Sequence, residues 1–138
     1  MPVDGSSSEE ELPFSIRRAE ILADLKMRGF RFDPRKGQNF LFDGNLLRAL
    51  VRDAEISPEL PILEIGPGAG TLTRSLLAAG SHVTAVEIDP ILAGYLRETF
   101  SEDSLHVVQA DALETKNRLS EELLAALPEG EFQMVANL

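Results

Sequence analysis

Apolar positions follow two different rhythms along this chain of 138 residues. Before residue 60 they keep helical spacing. Ile21, Leu22 and Leu25 share one face of a helix predicted from about Ser15 to Arg28, and Gly29 suits the left-handed position just past its end. Leu46, Leu47, Leu50, Val51 and Ala54 mark a second helix, for which Asn45 is the expected cap. Between them, residues 30–44 read as irregular, with Asp33-Pro34 and Asp43-Gly44 as turn signals. Residues 1–12, polar and serine-rich, read as a disordered tail.

From Pro61 onward, short apolar runs alternate with helical patterns. Pro61–Ile65, Val83–Ile88, Leu105–Gln109 and Phe132–Ala136 are predicted as buried strands. Of the helices between them, the first carries Leu72, Leu76 and Leu77 and stops at Gly80. The second opens on Asp89-Pro90, with Asp89 as cap and Pro90 in the first turn, and carries Ile91, Leu92, Tyr95 and Leu96. The third starts at Ser120, bears Leu123, Leu124 and Leu127, and ends at Pro128. Such alternation means right-handed βαβ units: an α/β fold with a parallel sheet covered by helices on both faces, preceded by N-terminal helices. A strand order 3-2-1-4 would put the switch point between the first and fourth strands, so that Gly66 and Asn137 line one cleft. A parallel strand left bare at its edge is an aggregation hazard, so these residues are expected to be the N-terminal part of a longer protein.

At 43% apolar residues the chain can bury a core. Cysteine is absent, which excludes a disulfide scaffold, a thiol nucleophile and a thiolate metal site. No apolar run approaches the roughly 20 residues that span a bilayer. The first twelve residues hold Asp4, Glu9, Glu10 and Glu11 without Lys or Arg, so they are unlike a leader, and a cytoplasmic protein is expected.

The net charge of −10 at first argues against a nucleic-acid partner. Its distribution changes the picture. Residues 14–52 hold nine basic groups against four acidic ones, net +5, while residues 53–138 are net −11. A polyanion would sense that concentration; a pair of solvated helical faces would account for it equally well.

The richest stretch in chemistry is Leu63-Glu64-Ile65-Gly66-Pro67-Gly68-Ala69-Gly70, which follows a strand and opens a helix. Glycines there let the chain turn sharply and let a ligand approach the backbone. Glu87 comes twenty-one residues after Gly66, near the end of the second strand, where an acid can accept from a ribose diol. Asp89 could compete for that role, but capping already explains it. A nicotinamide site would want a third glycine at the position of Thr71. The G-x-G-x-G spacing with an acid two residues ahead suits S-adenosylmethionine better. Asp111, at the carboxyl end of the third strand, stands over the same crevice and could accept from an adenine amine; a turn-forming Asp is the plain alternative. His82 and His106, at strand starts, read as structural, and no metal site is expected.

Lys36-Gly37-Gln38-Asn39-Phe40-Leu41, Leu63–Gly70, Val86-Glu87-Ile88-Asp89, Asp111-Ala112-Leu113 and Asn137-Leu138 occur in this order. In that combination the chain resembles the rRNA adenine dimethyltransferases, which modify two adjacent adenosines near the 3′ end of small-subunit rRNA. The likeness runs from about Arg17 to Leu138. The macrolide-resistance methyltransferases of large-subunit rRNA share Gln-Asn-Phe but tend to place Thr where this chain has Pro67 and Ile where it has Leu138, so the small-subunit branch looks nearer.

The resemblance implies part of a Rossmann-like S-adenosylmethionine-dependent methyltransferase fold. It divides the chain into a tail (1–12), a basic helical segment (13–57) and the first half of the methyltransferase domain (58–138). It implies that Asn39 and Leu41 close over the cofactor, that the turn of Gly66 and Gly68 meets its methionine part, that Glu87 holds its ribose and Asp111 its adenine. Asn137 would begin an Asn-Leu-Pro-Tyr catalytic motif and also touch the cofactor; the Pro and Tyr are missing, so this stretch alone is expected to be inactive. Arg31, Arg35 and Lys36 would face rRNA phosphates. A flipped-out adenosine would then receive the methyl group directly, without a general base. The expected partner is the small ribosomal subunit and its rRNA, bound by a monomer. A non-catalytic RNA-binding or ribosome-assembly module is the alternative from another class.

Overall fold

A computed structural model of the chain describes residues 14–33, 40–79, 82–115 and 118–136. Two helices lead, α1 (Phe14–Met27) and α2 (Gly44–Asp53). There follow β1 (Ile62–Ile65), α3 (Thr71–Ala78), β2 (Val83–Glu87), α4 (Pro90–Thr99) and β3 (Leu105–Gln109). A short pair, β4 (Leu113–Thr115) and β5 (Arg118–Leu119), precedes α5 (Glu121–Ala126) and β6 (Gln133–Ala136).

The main sheet has the order β3-β2-β1-β6, all parallel, which is the expected 3-2-1-4 arrangement of its four strands. Ile62 lies level with Val83 on one side and Gln133 on the other. Because successive side chains alternate faces, β1 serves two cores. Ile62 packs with Ile21, Leu25, Leu47, Leu72, Leu76, Leu92 and Leu96, from α1, α2, α3 and α4. Leu63 faces the other way, onto Val86 and Leu123 of α5. The helices thus cover both faces, as the alternation of apolar runs requires.

Local chemistry sets where the elements stop. α1 ends in a paired motif: the Gly29 N–H donates to the Lys26 carbonyl (3.0 Å) and the Phe30 N–H to that of Leu25 (2.9 Å), with Gly29 at φ +88°. Leu25 and Phe30 are both buried, but Leu22, expected on the same face, stays 36% exposed, since it is one step off the Ile21–Leu25 row. The cap of α2 is Asp43 rather than Asn45: the Asp43 carboxylate accepts from the N–H groups of Asn45 (3.0 Å) and Leu46 (3.1 Å). Asn45 lies inside the first turn, where its Oδ1 accepts from Arg48. Asp89 and Ser120 cap α4 and α5 as expected. Strand β2 ends at Glu87, one residue early, leaving Ile88 61% exposed, and α5 ends at Ala126, so Leu127 is its cap rather than a helical residue. Helix α3 ends before Gly80, which lies outside the described residues.

Two features were not foreseen. The β4–β5 hairpin pairs Leu113 with Leu119 and contains a bulge. The Gln133 amide clamps the approach to β1: its Oε1 accepts the Ser57 N–H (2.9 Å) and its Nε2 donates to the carbonyls of Ser57 (3.0 Å) and Leu60 (3.2 Å). Among the described residues no helix is long and apolar enough to cross a membrane.

Candidate functional site

Immediately after β1 the chain makes three left-handed steps, at Gly66 (φ +70°), Gly68 (φ +58°) and Gly70 (φ +79°). The Gly66 N–H still donates to the Val86 carbonyl (3.0 Å), so the turn springs directly from the sheet. At Gly68 an added Cβ would stand 3.1 Å from two carbons of the Phe40 ring. At Gly70 it would meet Leu96 Cδ2 at 2.8 Å and the Phe100 ring at 2.9 Å. Both positions therefore need glycine for φ and for space. Gly70 is also the N-cap of α3, so that helix begins without a side-chain cap, and its first N–H groups lack the partner that Asp43, Asp89 and Ser120 provide elsewhere.

Under this turn sits Glu87, the last residue of β2 and only 5% exposed. Its Oε1 accepts the Gly68 N–H (3.1 Å) and its Oε2 the Asp89 N–H (3.0 Å), so one carboxylate joins the glycine turn to the start of α4. Burial pushes its pKa above the ordinary carboxylate range, partly offset by the N–H groups of Asp89 and Gly68. Asp89 is engaged in capping, with its Oδ1 accepting from Ile91 (2.8 Å) and Leu92 (3.1 Å).

A second acid lies on the same side of the sheet. Glu64 is level with Ala85, two residues before Glu87. It is fully buried; its Oε1 accepts from the Thr73 hydroxyl (2.5 Å), and its Oε2 has no hydrogen-bond partner. Burial raises its pKa to about 7; the Thr73 hydroxyl opposes the shift and the nearby Glu87 charge adds to it. The sequence displayed Glu64 as the acid ahead of the glycines, but gave no sign that Thr73 would reach back to it.

The other expected site residues are distributed unevenly. Leu41 is half-buried against the core, and its carbonyl accepts the Thr71 hydroxyl (2.5 Å), which fastens it beside the glycine turn. Thr71, noted only for not being glycine, therefore has a structural task. Asp111 is exposed and its Oδ1 accepts the Leu113 N–H (3.0 Å), the turn-forming role. Arg31 is exposed on the segment following α1. Arg35, Lys36, Asn39 and Asn137 lie outside the described residues. Unforeseen is a cluster of rings beside the turn: Phe40 stacks on Phe30 (5.7 Å between centroids) and meets Phe32 (5.7 Å) and Phe42 (6.4 Å) edge-to-face.

A parallel sheet of this order, with a glycine turn leaving β1 over a buried acid at the end of β2, defines the Rossmann-like fold of S-adenosylmethionine-dependent methyltransferases. Solved structures agree: the chain is 40% identical to the 23S rRNA methyltransferase ErmE, with a TM-score of 0.56 over 71% of this chain and 36% of that one. A dimethyladenosine transferase from Plasmodium falciparum shares the fold at 24% identity and a TM-score of 0.53, over 70% of this chain and 32% of that one. Within that class, residues 29–138 match the family described as ribosomal RNA adenine dimethylase, and the chain belongs to this family. Among its relatives are proteins named ribosomal RNA small subunit methyltransferase A. That of Mycobacterium tuberculosis is 45% identical over 131 residues, 89% of this chain and 38% of the relative. That of Deinococcus radiodurans is 40% identical over 120 residues, 87% of this chain and 38% of the relative. The chain thus spans well under half the length of the relatives it matches.

Proposed function

We propose that the protein carrying this sequence transfers methyl groups from S-adenosylmethionine to the exocyclic amines of adjacent adenosines in small-subunit rRNA, and that residues 58–138 contribute its donor cleft. The observation that carries this reading is the Glu87 carboxylate. Each oxygen accepts one backbone N–H and keeps lone-pair capacity for another donor, so the pair is preset to take two neighbouring ribose hydroxyls. The rest of the cleft suits the same ligand. The uncapped N-terminus of α3 favours a carboxylate.

When bound, the donor supplies an electrophilic methyl group on a sulfonium. This chain's residues bind and orient. Glu87 holds the sugar, Leu41 and Asn39 close the cleft from the N-terminal side, and Asp111 accepts from the adenine amine through the oxygen not used on Leu113. An adenine amine is a poor nucleophile because its lone pair is delocalised into the ring. An acceptor at that amine, the Asn137 side chain, favours a tetrahedral nitrogen and so the geometry of attack. Holding nitrogen and methyl in line contributes the remainder, and no strong base is required. Arg31, Arg35 and Lys36, in the basic segment 13–57, engage RNA phosphates.

Calorimetry with S-adenosylmethionine tests the site. Glu87→Ala should weaken binding at least about tenfold, the loss of charge-assisted hydrogen bonds worth ~1.5–3 kcal/mol. Undiminished affinity in that variant would remove the basis of the assignment, and an intact protein that binds subunits yet leaves rRNA unmethylated would favour an assembly module.

A further inference from the structure

We infer that Phe32 is a stacking platform for an RNA base next to the target adenosine, with Arg31 beside it to meet the adjoining phosphate. This inference rests on the proposed methyltransfer to RNA and adds a position of contact to it. Phe32 is 52% exposed, whereas Phe30, two residues earlier, is buried in the core. A half-exposed phenylalanine on an irregular segment contributes little to the core, and an exposed aromatic ring is what an unpaired base can cover.

The ring is not isolated from the cleft. It meets the Phe40 ring at 68° and 5.7 Å between centroids. Phe40 in turn lies against Gly68, 3.1 Å from where a Cβ would stand, and the Gly68 N–H is bonded to Glu87. One ring and one backbone turn therefore separate the exposed face from the acid proposed to hold the donor's ribose. A base resting on Phe32 would lie beside the cleft rather than in it. Phe40 is fixed from its other side by Phe30 and Phe42, and the Arg18 guanidinium lies over Phe42 at 5.6 Å. The platform thus has a firm base.

Charge selects the occupant. Phe32 follows the exposed Arg31 and lies within residues 14–52, net +5 in a chain of net −10. A polyanion with unpaired bases fits that setting better than an apolar peptide, which would gain nothing from the cations.

The test uses the intact protein and an RNA hairpin whose loop holds two adjacent adenosines. Phe32→Ala should weaken RNA binding about 5- to 150-fold, as loss of one stacked base does, while Phe32→Trp keeps affinity near that of the original. Affinity for S-adenosylmethionine should stay within twofold in both. Replacing loop nucleotides one at a time by abasic ones should find a position next to the adenosines whose loss weakens the original protein but not Phe32→Ala. Unchanged RNA affinity in Phe32→Ala, with methylation intact, overturns the platform and leaves the methyltransferase reading standing. Loss of donor affinity or several degrees of melting temperature in that variant also overturns it, by showing that the ring is a support for Phe40 or is covered by another part of the protein. Failure of the original protein to bind the donor or methylate RNA defeats both.

Discussion

Glu64 carries the sharpest consequence of any single residue. Its carboxyl has an ordinary pKa of 4.5 and a folded value of about 7, because it is buried with one oxygen unpartnered. Below about pH 4.5 the group is protonated in both folded and unfolded chains. As pH rises from about 4.5 through 7 the unfolded chain ionises while the folded one stays largely protonated, so this group's contribution to stability is lost over that window. The loss amounts to ~3 kcal/mol. Glu87, also raised, adds a change of the same sign. Glu64→Gln is therefore expected to unfold at higher urea than the original protein at pH 8, and to flatten the dependence of the urea midpoint between pH 5 and 8. An unchanged slope would show that Glu64 is not the source. Little of this was readable from sequence. The glycine spacing, Glu87 and the capping role of Asp89 were legible because each follows from spacing and position along the chain. The Glu64–Thr73 bond depends on how α3 settles on the sheet, which spacing does not encode.

Helices and strands of four or more residues were legible. Elements of eight to fourteen residues, such as α1, α3 and α4, display their period and were located within a residue or two. β4 and β5, of three and two residues, are too short to show any alternation, and their pairing was missed. At α2 the expected cap, Asn45, gives way to Asp43, which reads in sequence as part of a turn; its carboxylate caps the helix that begins at Gly44. This predicts an asymmetry. Asp43→Ala should destabilise the protein by ~1 kcal/mol, the usual cost of removing a carboxylate cap, whereas Asn45→Ala should stay within about 0.5 kcal/mol, as exposed substitutions do. Thermal melts of the two variants check it, and equal effects would count against the assignment. α1 is held differently. Arg28, just past its end, donates to Asp24 (2.7 Å) and to Glu98 of α4 (2.5 Å) and lies over the Tyr95 ring at 5.4 Å. The basic segment is thereby fastened to the second crossover helix.

Considered whole, the molecule is an acidic body with a basic stretch set beside its glycine turn. Strand order followed from the alternation of elements and the handedness of βαβ crossovers, and the observed sheet has it. The charge balance cannot by itself tell a polyanion-binding face from a solvated one, and a salt titration can. If Arg31, Arg35 and Lys36 each meet one phosphate, the logarithm of RNA affinity should fall against the logarithm of salt with a slope of about −2. Arg31→Ala should make the slope shallower by about 0.7. Fluorescence anisotropy over a salt series measures it, and a flat response despite the net charge of −10 would mean that these cations face water.

The position of β1 has a consequence for how the molecule is made. β1 lies between β2 and β6, and the Gln133 amide, 76 residues downstream of Ser57, is what secures the segment entering it. During synthesis the central strand therefore emerges early with one flank unpaired and must wait for some seventy more residues to leave the ribosome. A nascent chain in that interval exposes an unpaired strand edge, the kind of surface to which other chains adhere.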